Sequence, residues 1–163
     1  VPTRELAIQV TREFERFKNH DREYRVVSIY GGTEFGPQIE GLRNGCEVVV
    51  GCPGRVLDLM EKKILVTSKL KNFILDETDQ MLNMGFQEDI ERVLRFIEKD
   101  FQSVDKSIDT IQYLLFSATI PKWIRDIAAK FMKKSVVSVD NQYVLHFTGE
   151  MVFASNNSGC QFL

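Results

Sequence analysis

Asp76 and Glu77 are the residues whose placement most directly suggests chemistry. They follow the apolar run Phe73-Ile74-Leu75, and a buried strand ending in Asp-Glu is the Walker B arrangement. Such a strand fixes the Asp76 carboxylate where it can hold Mg²⁺ against nucleotide phosphates. Glu77 beside it can orient and polarise an attacking water. The competing reading is a solvated acidic helix start, because carboxylates favour helix N-termini. These five residues do not separate the two. A nucleotide site of this kind also needs a phosphate loop, Gly-x-x-x-x-Gly-Lys-Ser/Thr. Gly31 to Gly36 has the glycine spacing, but Pro37 and Gln38 stand where the Lys and the hydroxyl are required. Without the Lys there is no cation for the β- and γ-phosphates, and Pro37 removes an N–H. That stretch is a decoy.

Four further segments carry groups suited to phosphate or backbone recognition. Gly31-Gly32 can let backbone approach a ligand closely, or can be a tight turn. In Pro53-Gly54-Arg55, a helix start with a nearby guanidinium suits a phosphate, and equally suits a plain strand-to-helix turn. Pro2-Thr3-Arg4-Glu5 combines a hydroxyl, a cation and a helix start, with Thr3 also placed as an N-cap. Ser117-Ala118-Thr119 offers two hydroxyls, or simply caps the helix that Pro121 opens.

The elements that must position these residues alternate between helix and strand. Leu6, Val10, Phe14 and Phe17 recur at helical spacing and predict a helix over about 4–18. Val26 to Tyr30 reads as a strand, broken by Gly31-Gly32-Thr33. Phe35, Ile39 and Leu42 mark a short helix, and Val48-Val49-Val50 is an apolar strand ending at Gly51. Pro53 suits the first turn of a helix whose inner face is Val56, Leu59 and Met60. After the Phe73–Leu75 strand, Phe86, Ile90, Val93, Leu94 and Ile97 give the clearest amphipathic helix. Tyr113 to Phe116 is a strand. Ile124, Ile127, Ala128 and Phe131 form the stripe of the next helix, and Val136 to Val139 is the last strand. Asp100 to Asp109 reads as a polar surface loop, and 141–163 has no usable period. Strands apolar on both faces and separated by helices imply an α/β fold: a parallel sheet with helices on both faces and right-handed crossovers. Ligands of such sheets bind beyond the carboxyl ends of the strands, which is where all five segments fall.

Composition neither adds to nor opposes this. The 163 residues carry a formal net charge of −2, with 44% hydrophobic and 27% charged residues, as in an ordinary soluble domain with one core. Nucleic-acid binding therefore has to rest on a local patch, not on bulk charge. Cys46, Cys52 and Cys160 form no Cys-x-x-Cys pair, and His20 and His146 are scattered. A structural zinc site is thereby disfavoured, and a reducing compartment, cytosol or nucleus, is implied. Asn156-Asn157-Ser158 fits the glycosylation pattern by chance. No apolar run approaches the ~20 residues of a membrane helix, and Val1-Pro2-Thr3-Arg4-Glu5 is not a signal peptide. The chain reads as cut from something longer.

In order and spacing, these segments resemble the signatures of DEAD-box RNA helicases. Pro2-Thr3-Arg4-Glu5-Leu6-Ala7-x-Gln9 resembles motif Ia, and Gly31-Gly32 the GG element. Cys52-Pro53-Gly54-Arg55 resembles motif Ib, where Thr is usual at the Cys52 position. Asp76-Glu77-Thr78-Asp79 resembles motif II, and Ser117-Ala118-Thr119 is motif III. The resemblance covers Val1 to about Asp140. Asp79-Gln80-Met81-Leu82 and 116–132 are most similar to the nucleolar Gu-type branch, which points to a nuclear or nucleolar location, with the cytoplasm as the alternative.

The resemblance implies an incomplete first RecA-like domain over 1–140, lacking the first strand and the phosphate loop, followed by an atypical tail over 141–163. It implies ATP and Mg²⁺ as cofactors. Asp76 would bind the metal and Glu77 would activate water, so both belong to the nucleotide site. Asp79, Ser117 and Thr119 would couple hydrolysis to strand separation. Thr3, Arg4, Gly31, Gly32, Pro53, Gly54 and Arg55 would grip the RNA sugar-phosphate backbone, giving largely sequence-independent, salt-sensitive binding. A second RecA-like domain would be the intramolecular partner. Thr78 in place of Ala should be tolerated. Cys52 in place of Thr removes a hydroxyl donor from the RNA-contacting turn. The alternatives to an RNA helicase fragment are a non-catalytic RNA-binding short isoform and a truncated product without function. A two-metal nuclease is disfavoured, because Asp76, Glu77 and Asp79 sit on one short turn and no other acidic or His cluster completes a site.

Overall fold

A computed structural model describes residues 1–18, 23–104, 111–119, 122–131, 136–139 and 151–154. The chain divides into two compact units, Val1–Val66 and Thr67–Leu163.

The first unit is built from α1 (Arg4–Arg16), β1 (Val26–Ile29), α2 (Phe35–Arg43), β2 (Val48–Gly51) and α3 (Pro53–Glu61). β1 and β2 pair in parallel, Val26 with Val48 through Ile29 with Gly51. Side chains alternate between faces along a strand, and the two helices exploit this. Gly41 of α2 comes against Val27, while Thr11 of α1 shares a 2.7 Å hydroxyl–hydroxyl bond with Ser28. β1 is therefore covered on both faces, and Ile29 is fully buried. Thr3 caps α1 by accepting from the Leu6 N–H at 3.3 Å, and Ala7 is fully buried beneath the helix. Phe17 was expected in the inward stripe. It instead follows the last helical turn and is 67% exposed, because the helix ends before Phe17 completes another inward turn. Pro53 stands at the first turn of α3, as its ring geometry favours, and Leu57, Leu59 and Met60 form the buried face. Gly51 is required: a Cβ there would lie 2.5 Å from both Ile29 Cγ1 and Val56 Cγ2.

The second unit contains β3 (Asn72–Leu75), α4 (Thr78–Asn83), α5 (Gln87–Gln102), β4 (Gln112–Phe116), α6 (Lys122–Phe131), β5 (Val136–Val139) and β6 (Met151–Ala154). Its sheet has the order β3-β4-β6-β5, and each neighbouring pair is parallel. The core gathers Leu75, Met81, Leu115 and Ile124 with Ile90, Val93, Leu94 and Ile97. Phe73 meets its register partner Tyr113 edge-on at 5.9 Å.

The expected α/β arrangement of parallel strands and helices is seen, with the strands in two sheets, β1-β2 and β3-β4-β6-β5. Three expectations change here. The helix α5 runs through Asp100 to Gln102, so the loop expected from Asp100 starts later; Phe101, four residues after Ile97, is almost fully buried and holds the last turn. The Asp100 carboxylate accepts from the Thr67 N–H at 2.7 Å and the Thr67 hydroxyl at 2.8 Å. Ile74 is 49% exposed, so β3 is not buried on both faces as its apolar run suggested. The 141–163 segment supplies a strand, β6, between β4 and β5. The parallel pairing and the alternation of helix and strand are as read from the sequence. Residues 105–109, Pro121, His20, His146, Cys160 and Asn156-Asn157-Ser158 lie outside the described residues, as do the side chains of Ala128 and Phe131.

Candidate functional site

In the second unit, the in-register pair Leu75 and Leu115 brings the ends of β3 and β4 side by side. Asp76, Glu77, Thr78 and Asp79 follow one strand, and Ser117 and Thr119 follow the other. Hydrogen bonds join the two segments directly. The Asp79 N–H donates to Ser117 Oγ at 3.2 Å, and Thr119 Oγ1 donates to Asp79 Oδ2 at 3.4 Å. Ser117 Oγ in turn donates to the Thr119 carbonyl. Thr78 is fully buried, and its hydroxyl donates to the Phe116 carbonyl at 3.2 Å. The turn after β3 is thus tied to the turn after β4 by three bonds.

Glu77 occupies the left-handed region, with φ 53° and ψ 48°. That conformation costs an ordinary residue on the order of 1 kcal/mol. It lets the Glu77 N–H donate back to Asp76 Oδ1 at 2.9 Å while α4 starts immediately afterwards. Burial raises the pKa of Asp76, partly countered by that N–H bond. Burial also raises Glu77, and the neighbouring Asp76 and Asp79 charges add to the shift. A half-buried carboxylate that resists ionisation gains most from an arriving cation. Among the described residues, no cluster of three or more His, Cys, Asp or Glu is placed to hold a metal. Asp76 and Glu77 offer the one or two carboxylates that an ion such as Mg²⁺ would take beside phosphate oxygens and water.

In the first unit, Ile29 and Gly51 pair in register, so Tyr30-Gly31-Gly32 and Cys52-Pro53-Gly54-Arg55 leave the same sheet edge. Arg4 places its guanidinium over the Tyr30 ring, 5.2 Å from the centroid. Arg55 donates from Nη2 to the Thr33 carbonyl at 3.1 Å and stacks over the Phe35 ring at 3.9 Å. Lys62 also lies over Phe35, at 4.1 Å. Arg55 Nη1 is buried with no hydrogen-bond partner, a deficit of about 1–3 kcal/mol. Gly31 and Gly32 are exposed, and a Cβ at either would meet nothing within 4 Å. Gly32 has φ +75°, which favours glycine there. Arg4, Gly31, Gly32 and Arg55 are therefore linked through Tyr30, Thr33 and Phe35. Thr3 acts as the helix cap. Pro53 is buried at the start of α3, and Gly54 is exposed in its first turn.

The DEAD/DEAH box helicase family profile matches residues 1–127. The chain belongs to that family. It is 43% identical over 139 residues to the nucleolar RNA helicase 2 of Rattus norvegicus, covering 85% of this chain and 17% of that protein. It is 44% identical over 133 residues to the ATP-dependent RNA helicase DeaD of Escherichia coli K12, covering 82% and 20%. The crystal structure of a DEAD box protein from Methanococcus jannaschii superposes with a TM-score of 0.72 at 37% identity, over 95% of this chain and 36% of that one. The chain thus spans about a fifth of the length of these curated relatives.

Motif reading alone did not single out four residues, Thr78 in the second unit and Tyr30, Phe35 and Gln38 in the first. Thr78 was seen only as a tolerated departure, yet its hydroxyl bridges two strand ends. Tyr30, Phe35 and Gln38 were read as strand, helix face and decoy. The signal available for Gln38 was a carboxamide placed one residue before the apolar Ile39 on a helix due to be buried. Cys52 makes no side-chain cap bond to α3, and burial raises its thiol pKa.

Proposed function

We propose that this chain is part of an ATP-dependent RNA helicase that hydrolyses ATP and remodels RNA. The observation that carries this is the bonding of the Asp76–Asp79 turn to Ser117 and Thr119, because it links the nucleotide-side carboxylates to a second strand end. Asp76 would hold Mg²⁺ against ATP phosphates, where the metal supplies charge neutralisation. Glu77 would orient water. Asp79, Ser117 and Thr119 would transmit the change at the nucleotide to the bound RNA. Thr3, Arg4, Gly31, Gly32, Pro53, Gly54 and Arg55 would hold the RNA backbone. Such contacts read no sequence. A second RecA-like domain would complete the enzyme, and the name of the rat relative supports a nuclear, nucleolar location.

The 163 residues contain no Gly-x-x-x-x-Gly-Lys-Ser/Thr, so ATP hydrolysis requires residues beyond these. The test is made on the protein encoded by the whole reading frame that contains them. RNA-stimulated phosphate release is expected, with Glu77→Gln lowering it by about 100-fold or more, the scale of a lost general base. Release that neither RNA nor Glu77→Gln changes would overturn the proposal.

A further inference from the structure

We infer that Gln38 is a positioning residue for the RNA-backbone contact, holding the Gly31-Gly32 turn in the shape that contact uses. The inference rests on the RNA-binding reading above. Gln38 is on α2 and is 7% exposed, the one buried polar side chain among the described residues of the first unit. Its Oε1 accepts from the Tyr30 N–H at 3.2 Å. Its two Nε2 hydrogens are shared among the Tyr30 carbonyl at 3.2 Å, Thr33 Oγ1 at 2.7 Å and the Glu34 carbonyl at 3.4 Å. The carboxamide thus pairs with both the N–H and the C=O of Tyr30, as a neighbouring strand would, and also grips the far side of the turn. Gly31 and Gly32 lie between the two gripped ends. They have no side chains, are exposed, and have open space around them, so the clamp fixes their backbone without covering it.

Arg55 holds the same turn from a different helix, through the Thr33 carbonyl. Gln38 and Arg55 therefore meet at one residue, Thr33. A shift in the turn would move the two glycines and the guanidinium together. A buried carboxamide with no such task would be a poor choice beside an apolar residue of similar volume, since every polar atom it buries must be satisfied.

The test uses the whole-frame protein and a fluorescently labelled ten-nucleotide oligouridine, with affinity measured across a salt series well below the thermal transition. Gln38→Met keeps the volume and removes every bond. It is expected to weaken binding about five- to tenfold, the scale of a lost uncharged hydrogen-bond network, while leaving the salt dependence unchanged. Arg55→Ala is expected to weaken binding and to lower the slope of log affinity against log salt by about 0.7, one phosphate contact to a single strand. If Arg55→Ala behaves so and Gln38→Met only lowers the melting temperature, Gln38 is a core residue and the inference fails alone. If neither variant changes binding, the RNA-binding reading of this edge fails with it. Should Gln38→Met not fold, Thr33→Val removes the shortest bond of the clamp. A loss of about threefold, as for one hydrogen bond, is then expected, and unchanged affinity would overturn the inference.

Discussion

At Asp76, burial works against the carboxylate's own charge. Burial raises its pKa, so the folded state disfavours the charge that a metal-binding role needs. The sign of the pH dependence follows. A carboxyl group with a raised folded pKa holds its proton more tightly in the folded state. Its contribution to stability is full below the unfolded pKa of about 4 and is lost as pH rises through the folded value. Asp76→Asn keeps an oxygen to accept from the Glu77 N–H and never ionises. It is expected to raise the melting temperature at pH 7, with the gain disappearing below about pH 4, while abolishing ATP hydrolysis in the whole-frame protein. A melting temperature at pH 7 that falls, or a gain that persists in acid, would remove burial as the cause. Thr78 shows the opposite case. The substitution that looked neutral adds a buried hydroxyl, and that hydroxyl is satisfied by the Phe116 carbonyl, so it adds a tie between strand ends without leaving an unpaired group.

At the scale of elements, helix starts and strand ends decide what the motifs can do. Cys52 has the extended backbone of an N-cap, φ −89° and ψ 141°, but no cap bond. Threonine at that position can accept from an N–H of the first turn, so Cys52→Thr is expected to stabilise the chain by about 0.5–1 kcal/mol, measured by urea denaturation. No change in the denaturation midpoint would show that the α3 start is satisfied in another way. The same elements show what was legible in the sequence. The strands ending at Leu75 and Phe116 and the helix carrying Ile90, Val93, Leu94 and Ile97 were clear, because continuous apolar runs and a 3.6-residue period survive in sequence. Asp76 to Asp79 and Ser117 to Thr119 could therefore be placed at strand ends. The bonds among them could not, since Asp79 to Ser117 spans thirty-eight positions and no local pattern encodes it. α4 escaped because six residues are too few to show a period. The Asp100 region misled because Asp, Lys and Gln around Phe101 hide one buried ring.

At the scale of the whole chain, the strand that sequence left unread has the largest structural consequence. β4 and β5 are consecutive among the described strands, yet they do not pair. β6 lies between them, joined to β4 through Leu114–Phe116 and to β5 through Val136–Val139. Among the described residues, β5 has no other strand partner, and β6 supplies the second partner of β4. Met151-Val152-Phe153-Ala154 gave no usable signal because four apolar residues set among Gly, Ser and Asn look like any loop. Removing them would leave β4 with an open row of N–H and C=O groups beside the site, and β5 without a ladder. Unpaired edges of that kind recruit other chains. Truncation to residues 1–140 is therefore expected to abolish any cooperative thermal transition seen for 1–163 and to shift the chain into aggregates on size-exclusion chromatography. The bonds from Asp79 to Ser117 and Thr119 hang from the end of β4, so the truncation should also loosen the site, seen as faster hydrogen exchange of the Asp79 N–H. A truncated chain that stays monomeric, with an unchanged transition and an unchanged exchange rate, would show that β6 is dispensable and that β3 and β4 hold the site without it.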